Sequence, residues 1–139
     1  MKTLLIYTDG AARNNPGPAG LGVVFLDKNA KVISSFKKHI GEATNNQAEY
    51  KAVILALQKA KELKPEKIKV HIDSKLVVEQ VNGNYKIKEP TLKKLYWQIR
   101  DLILETGGNI EFIHIPRTKN KQADKLANQA IDEYLANSK

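Results

Sequence analysis

Apolar positions come first in short blocks or alternating runs, and later recur every three or four residues, so strands lead this chain and helices follow. Leu4-Leu5-Ile6-Tyr7-Thr8 is a continuous β-type run that closes on Asp9 and Gly10, and a strand apolar almost to its tip reads as central in a sheet. The Asn, Pro and Gly residues between Ala11 and Gly20 predict a loop. Leu21 to Leu26 and Val32 to Ile40 alternate around Asp27-Lys28-Asn29-Ala30, the pattern of a hairpin. Thr44-Asn45-Asn46-Gln47 has the form of a capping box opening a helix that runs to about Leu63, just before Pro65. Ile68 to Ile72 is a further strand ending at Asp73, Ser74 to Val81 a short helix, and Asn82-Gly83-Asn84 a break. Leu92, Leu95, Tyr96, Ile99, Leu102 and Ile103 make an apolar stripe on a helix from Thr91 to Glu105. Ile110 to Ile115 is the last strand, 116–119 a loop, and Ala123, Leu126, Ala127, Ala130, Ile131, Tyr134 and Leu135 mark a final helix. The order βββαβααβα predicts an α/β fold with a mixed sheet and helices on its faces, in one domain spanning residues 1–139.

Four carboxylates disturb this pattern. Asp9 and Asp73 each close an apolar strand, so adjacent parallel strands would set them side by side beyond the sheet's carboxyl edge, where open sheets bind ligands. Glu49 lies one turn into its helix, in line with Ala52, Val53, Ala56 and Leu57, and therefore faces the sheet. Asp124 borders the stripe of the last helix and sits near its positive end. For each acid alone a turn, a cap or a lysine pair is a competing explanation. Four together, each placed to reach a strand end, form a cluster that repels itself unless divalent cations lie among them. All-oxygen ligands favour Mg²⁺ or Mn²⁺, and the Cys/His set of a zinc site is lacking. Two ions held by such acids, one activating water and one stabilising the leaving oxygen, are the usual device for phosphodiester cleavage.

Charge agrees with this chemistry. Lys and Arg outnumber Asp and Glu by 23 to 15, for a net charge of +8, which suits a polyanionic partner. There are no cysteines, so disulfides and thiolate sites are excluded and a cytoplasmic setting fits. No leader pattern precedes Asp9 and no apolar run reaches the ~20 residues of a membrane helix, so no membrane partner is expected.

The residues carrying the acids resemble the motifs of type 1 ribonucleases H. Tyr7-Thr8-Asp9-Gly10 with Asn15-Pro16-Gly17-Pro18-Ala19-Gly20 is similar to the first motif, Thr44-Asn45-Asn46-Gln47-Ala48-Glu49 to the second, Asp73-Ser74 to the third, and Asn120-Lys121-Gln122-Ala123-Asp124-Lys125-Leu126-Ala127 to the fourth. The resemblance implies a five-stranded mixed sheet, its first three strands antiparallel and the later ones parallel to the first, with helices on both faces. It implies endonucleolytic cleavage of the RNA strand of RNA·DNA hybrids, leaving 5′-phosphate and 3′-hydroxyl ends; no obligate protein partner is evident in the sequence. Asp9, Glu49, Asp73 and Asp124 match the metal-binding acids, with two ions per site once substrate is bound. Asn15, Thr44, Asn45, Asn46 and Gln47 match the nucleic-acid contacts, although Thr44 and Gln47 also serve as helix caps.

Two departures stand out. The loop before the last acid, Ile115-Pro116-Arg117-Thr118-Lys119-Asn120, has no histidine where many bacterial members carry one, and Arg117 is the candidate to neutralise the scissile phosphate instead. The basic helix and loop that grips the duplex in those members is missing, leaving Lys86, Lys88, Lys93 and Lys94 as a modest patch. Duplex affinity is therefore expected to be weak and strongly salt-dependent. Two rival readings remain: a broader nuclease that also cuts double-stranded RNA or RNA–DNA junctions, and a catalytically silent nucleic-acid-binding domain of the same fold.

Overall fold

A computed structural model describes residues 1–138. Strands β1 (Thr3–Ala12), β2 (Gly17–Leu26) and β3 (Val32–Ala43) are followed by helix α1 (Asn45–Ala60), β4 (Lys67–Ile72), α2 (Lys75–Val81), α3 (Pro90–Glu105), β5 (Ile110–His114) and α4 (Lys121–Asn137). They build a five-stranded sheet in the order β3-β2-β1-β4-β5. β1 pairs antiparallel with β2 and β2 with β3, while β4 runs parallel to β1 and β5 parallel to β4. The expected mixed sheet is present, with β1 at its centre.

Alternation along β1 separates two layers. Leu4, Ile6, Leu21, Val23, Phe25, Ile68, Val70 and Ile72 share the main core with α1, α2 and α3. On the other face α4 lies across β2, β1 and β3, with Ala123, Ala127 and Ile131 buried against the sheet. This helix can come close because Gly22 has no side chain: a Cβ there would stand 2.0 Å from the carbonyl oxygen of Ala123. Gly22 is the register partner of Asp9, so the close approach sets α4 beside that residue.

The helix signals act as their chemistry dictates. Thr44 and Gln47 complete the capping box, with Gln47 N–H donating to Thr44 Oγ1 at 3.1 Å and Thr44 N–H to Gln47 Oε1 at 2.9 Å. The α-helix ends at Ala60, with a 3₁₀ turn from Lys61 to Leu63 and left-handed Lys64 closing it. α3 begins one residue earlier than its stripe indicates, because Pro90 occupies the first turn and the Glu89 carboxylate accepts the Thr91 and Leu92 N–H groups, each at 3.0 Å. Segment 116–119 tightens into a 3₁₀ turn over Arg117–Lys119.

Asp9 does not end its strand, and this corrects the loop expected from Ala11 to Gly20. β1 continues through Ala12 and β2 starts at Gly17, with Ala11 opposite Gly20 and Ala12 opposite Ala19. The turn is confined to residues 13–16, closed by Arg13 N–H donating to Pro18 C=O at 3.0 Å. Glycine and alanine lower strand propensity locally, but antiparallel pairing overrides it here.

The candidate acidic site

The parallel ladder between β1 and β4 stops at Thr8 and Ile72, whereas β1 runs four residues further. Its edge groups beyond that point need other partners, and side chains supply them. Thr8 C=O accepts from Asn120 Nδ2 at 2.8 Å, Gly10 N–H donates to Glu49 Oε1, and Ala12 N–H donates to Asn45 Oδ1 at 2.9 Å. The open edge of one strand thus fixes one residue from the last motif and two from the start of α1.

Asp9, Glu49 and Asp73 meet there, each offering a carboxylate oxygen within 4.8 Å of the others. Asp9 and Asp73 come from the ends of the paired stretch of β1 and β4, as expected from adjacent parallel strands. Glu49 reaches them from α1, whose backbone lies so close to β1 that a Cβ on Gly10 would stand 2.2 Å from the Ala48 carbonyl. Asp124 lies outside this trio but lines the same cleft of about 420 Å³, together with Arg117, Asn45, Asn46 and Ser74. Asn15, Thr44, Asn45, Asn46 and Gln47 line an adjoining depression that shares Asn45 and Asn46 with the cleft. Asn15 Oδ1 accepts from Asn45 N–H at 2.9 Å, which ties the β1–β2 turn to the start of α1.

Asp9 and Glu49 are buried, with exposures of only 7 % each. Burial pushes the Asp9 carboxyl up to about 10, helped by the hydrogen bond and charge of Glu49 and by the charge of Asp73. Burial also raises Glu49, to about 7, opposed by its hydrogen bonds from Asp9 and Gly10. The pair therefore holds a proton at neutral pH in the absence of a cation. Glu49 Oε2 is buried with no hydrogen-bond partner. An orphaned carboxylate oxygen among hard donors and a self-repelling set that retains a proton both fit a divalent cation.

Raised carboxyl pKa values make the cation-free fold less stable as pH rises. The folded carboxyls bind protons that the unfolded chain releases above 3.8 for Asp9 and 4.5 for Glu49. The stability they contribute is full below those values and is lost as pH rises through about 7 toward about 10. Cation-free protein is expected to melt on the order of 8 °C lower at alkaline pH than at mildly acidic pH, with Mg²⁺ or Mn²⁺ removing most of the difference. Equal melting temperatures without cation at both pH values would contradict the burial cost assigned to Asp9 and Glu49.

Sequence reasoning missed Asn120 as a site residue. It is 1 % exposed and donates to both Thr8 C=O and Asp73 Oδ2, the latter at 2.9 Å. Both partners are acceptors, so the amide orientation is fixed. Its position four residues before Asp124 was the available signal, since that spacing puts both on one helical face. His71, by contrast, is a packing residue: Nδ1 lies 2.9 Å from Ile6 C=O and the ring stacks on Tyr7 at 4.3 Å. Lys86 and Lys93 converge with Tyr85, Tyr96 and Trp97 on a groove that shares no lining residue with the acidic cleft.

Known proteins resemble this chain in sequence and in fold. A family profile described as reverse transcriptase-like matches residues 7–130. The bifunctional protein Rv2228c of Mycobacterium tuberculosis is 45 % identical over 93 % of this chain, which spans only 35 % of that relative's length. A ribonuclease H of Clostridium botulinum is 34 % identical, covering 96 % of this chain and 99 % of its own. The crystal structure of LC11-RNase H1 in complex with an RNA/DNA hybrid superposes with a TM-score of 0.91 at 46 % identity, covering 95 % of this chain and 99 % of that one.

Proposed function

This chain belongs to the ribonuclease H family, in its type 1 branch, and from that premise we propose that it is a metal-dependent endoribonuclease that hydrolyses the RNA strand of RNA·DNA hybrids. The observation that carries this reading is the convergence of Asp9, Glu49 and Asp73 within 4.8 Å, with an orphaned Glu49 oxygen buried among them. A nucleic-acid-binding module gains nothing from two buried carboxyls set against a half-buried third, which cost stability unless a cation offsets them.

Asp9, Glu49, Asp73 and Asp124 would hold the cations, two of them once substrate is present. Bound Mg²⁺ or Mn²⁺ supplies Lewis acidity that makes a water nucleophilic at neutral pH and stabilises the departing 3′ oxygen. The chain's own residues do the rest. Asn15 is held against the start of α1 through its Oδ1, and Asn45 against β1 through its own. Both amide nitrogens are left to meet a duplex minor groove, where the 2′-hydroxyl distinguishes RNA from DNA. Thr44 and Gln47 spend their oxygens on the capping box and so act chiefly by shaping the rim on which Asn46 stands. Arg117, exposed at the mouth of the cleft, pairs with the scissile phosphate in the role of the missing loop histidine. Products carry 5′-phosphate and 3′-hydroxyl ends.

No helix among the described residues is long and apolar enough to cross a membrane, and we place the activity in the cytoplasm, on the grounds of the cysteine-free sequence. The deciding experiment compares an RNA·DNA hybrid, an RNA duplex and a DNA duplex under the same Mg²⁺ or Mn²⁺ conditions, with mapping of product ends. Hybrid cleavage with 5′-phosphate ends, lost with chelator and reduced roughly tenfold by Arg117→Ala, is expected. Cleavage that survives excess chelator would refute the metal mechanism, and no cleavage with either ion would leave a binding domain.

A further inference from the structure

Asp124 is held by an amide rather than by a base. Asn128, one turn further along α4 and half-buried, donates from Nδ2 to Asp124 Oδ1 at 3.2 Å and to Asp124 C=O at 3.0 Å. Its Oδ1 in turn accepts from Arg13 Nη2 at 3.3 Å, and Arg13 also reaches the Asn128 carbonyl at 3.4 Å. Two acceptors on one side and a cationic donor on the other fix which end of the amide faces Asp124. Arg13 stands at the end of β1, and its charge is taken by Asp132 at 2.7 Å. The guanidinium therefore steadies Asn128 without pairing with Asp124 itself.

That separation matters for a cation-holding acid. A lysine or arginine bonded directly to Asp124 would orient it but also neutralise it, and would compete with a divalent ion for the same oxygens. An amide orients the carboxylate at no cost in charge. We propose that Asn128, steadied by Arg13, is a positioning residue that sets the direction of the Asp124 carboxylate in the cleft. Asp124 belongs to the cleft without joining the tight trio, so its orientation is the degree of freedom left to be fixed. The inference rests on reading Asp124 as one of the cation-holding acids.

The test compares Asn128→Leu, Arg13→Met, Asp124→Asn and Lys37→Met with the unaltered chain. Lys37→Met removes a different tether of α4 to the sheet, the exposed ion pair with Glu133. Cleavage of an RNA·DNA hybrid gives kcat and KM, and calorimetric titration with Mn²⁺ in the absence of substrate gives a readout independent of turnover. Asn128→Leu is expected to lower kcat about tenfold with KM changed less than about twofold, and to weaken Mn²⁺ binding about tenfold. Arg13→Met should move kcat and Mn²⁺ affinity the same way by about threefold, and Lys37→Met should move neither. The proposal is overturned if Asn128→Leu lowers only the melting temperature, or if Lys37→Met reproduces its losses. Full activity and Mn²⁺ affinity in Asp124→Asn would instead show that Asp124 holds no cation, which removes the premise rather than the positioning step.

Discussion

Asp9→Asn is expected to abolish hybrid cleavage and, in the same protein, to raise the melting temperature without cation. The two effects have one cause. Asp9 lies on the central strand, 7 % exposed, within 4.8 Å of Glu49 and Asp73. Keeping a proton on it up to about 10 means that the fold works against ionisation throughout the neutral range. Asparagine keeps the shape and removes that conflict, so cation-free stability should rise on the order of 2 kcal/mol at neutral pH, or roughly 6 °C. Activity should fall more than about 100-fold, because even partners one shell out from a metal ligand are worth about 10–100-fold. Hybrid turnover and cation-free melting of the two proteins check the pair of effects. An Asp9→Asn protein that melts lower and still cuts hybrid would defeat the account on both counts.

Gly10→Ala should be the most damaging change that alters no chemical group of the site. Its Cβ would stand 2.2 Å from the Ala48 carbonyl carbon and oxygen and 2.5 Å from Glu49 N. These are backbone atoms of a helix whose Ala48, Ala52, Val53 and Ala56 are fully buried, so α1 cannot yield locally. The helix must back away, and Glu49 loses its bond from Gly10 N–H and its place beside Asp9. A loss of about 3 kcal/mol is expected by denaturant titration, with cleavage falling along with it. Gly83→Ala makes the same chemical change where φ is +82° and no heavy atom lies within 4 Å. It should cost only about 1 kcal/mol in backbone strain and leave turnover intact. Equal midpoints for Gly10→Ala and the unaltered protein would show that the contact is not tight.

Much of this was legible locally. The capping box at Thr44 and Gln47 and the Leu92–Ile103 stripe appear where the sequence places them, and β2 and β3 contain the two predicted strands but run longer, with β2 buried on both faces. Helical and strand periods are written into neighbouring residues, so they survive without tertiary context. Glu49 facing inward from an apolar stripe was readable for the same reason, and so was the approach of Asp9 to Asp73, since each directly follows an apolar strand segment. The extent of β1 was misjudged because Ala11, Ala12, Ala19 and Gly20 have weak strand propensity of their own, and only their pairing across the turn makes them a ladder.

By itself the sequence determined the order of elements, the inward-facing acids and the kind of cation they suit, because burial pattern and charge are properties of short stretches. Tertiary structure decided which acids touch and what holds them. Asn120 meets Thr8 across 112 positions and Arg13 meets Asn128 across 115. The first exists because β4 stops at Ile72 while β1 goes on to Ala12, leaving edge groups that distant side chains complete, and the second because α4 packs across the sheet beside the β1–β2 turn. No local period carries that information, since where one strand outruns another depends on the whole sheet.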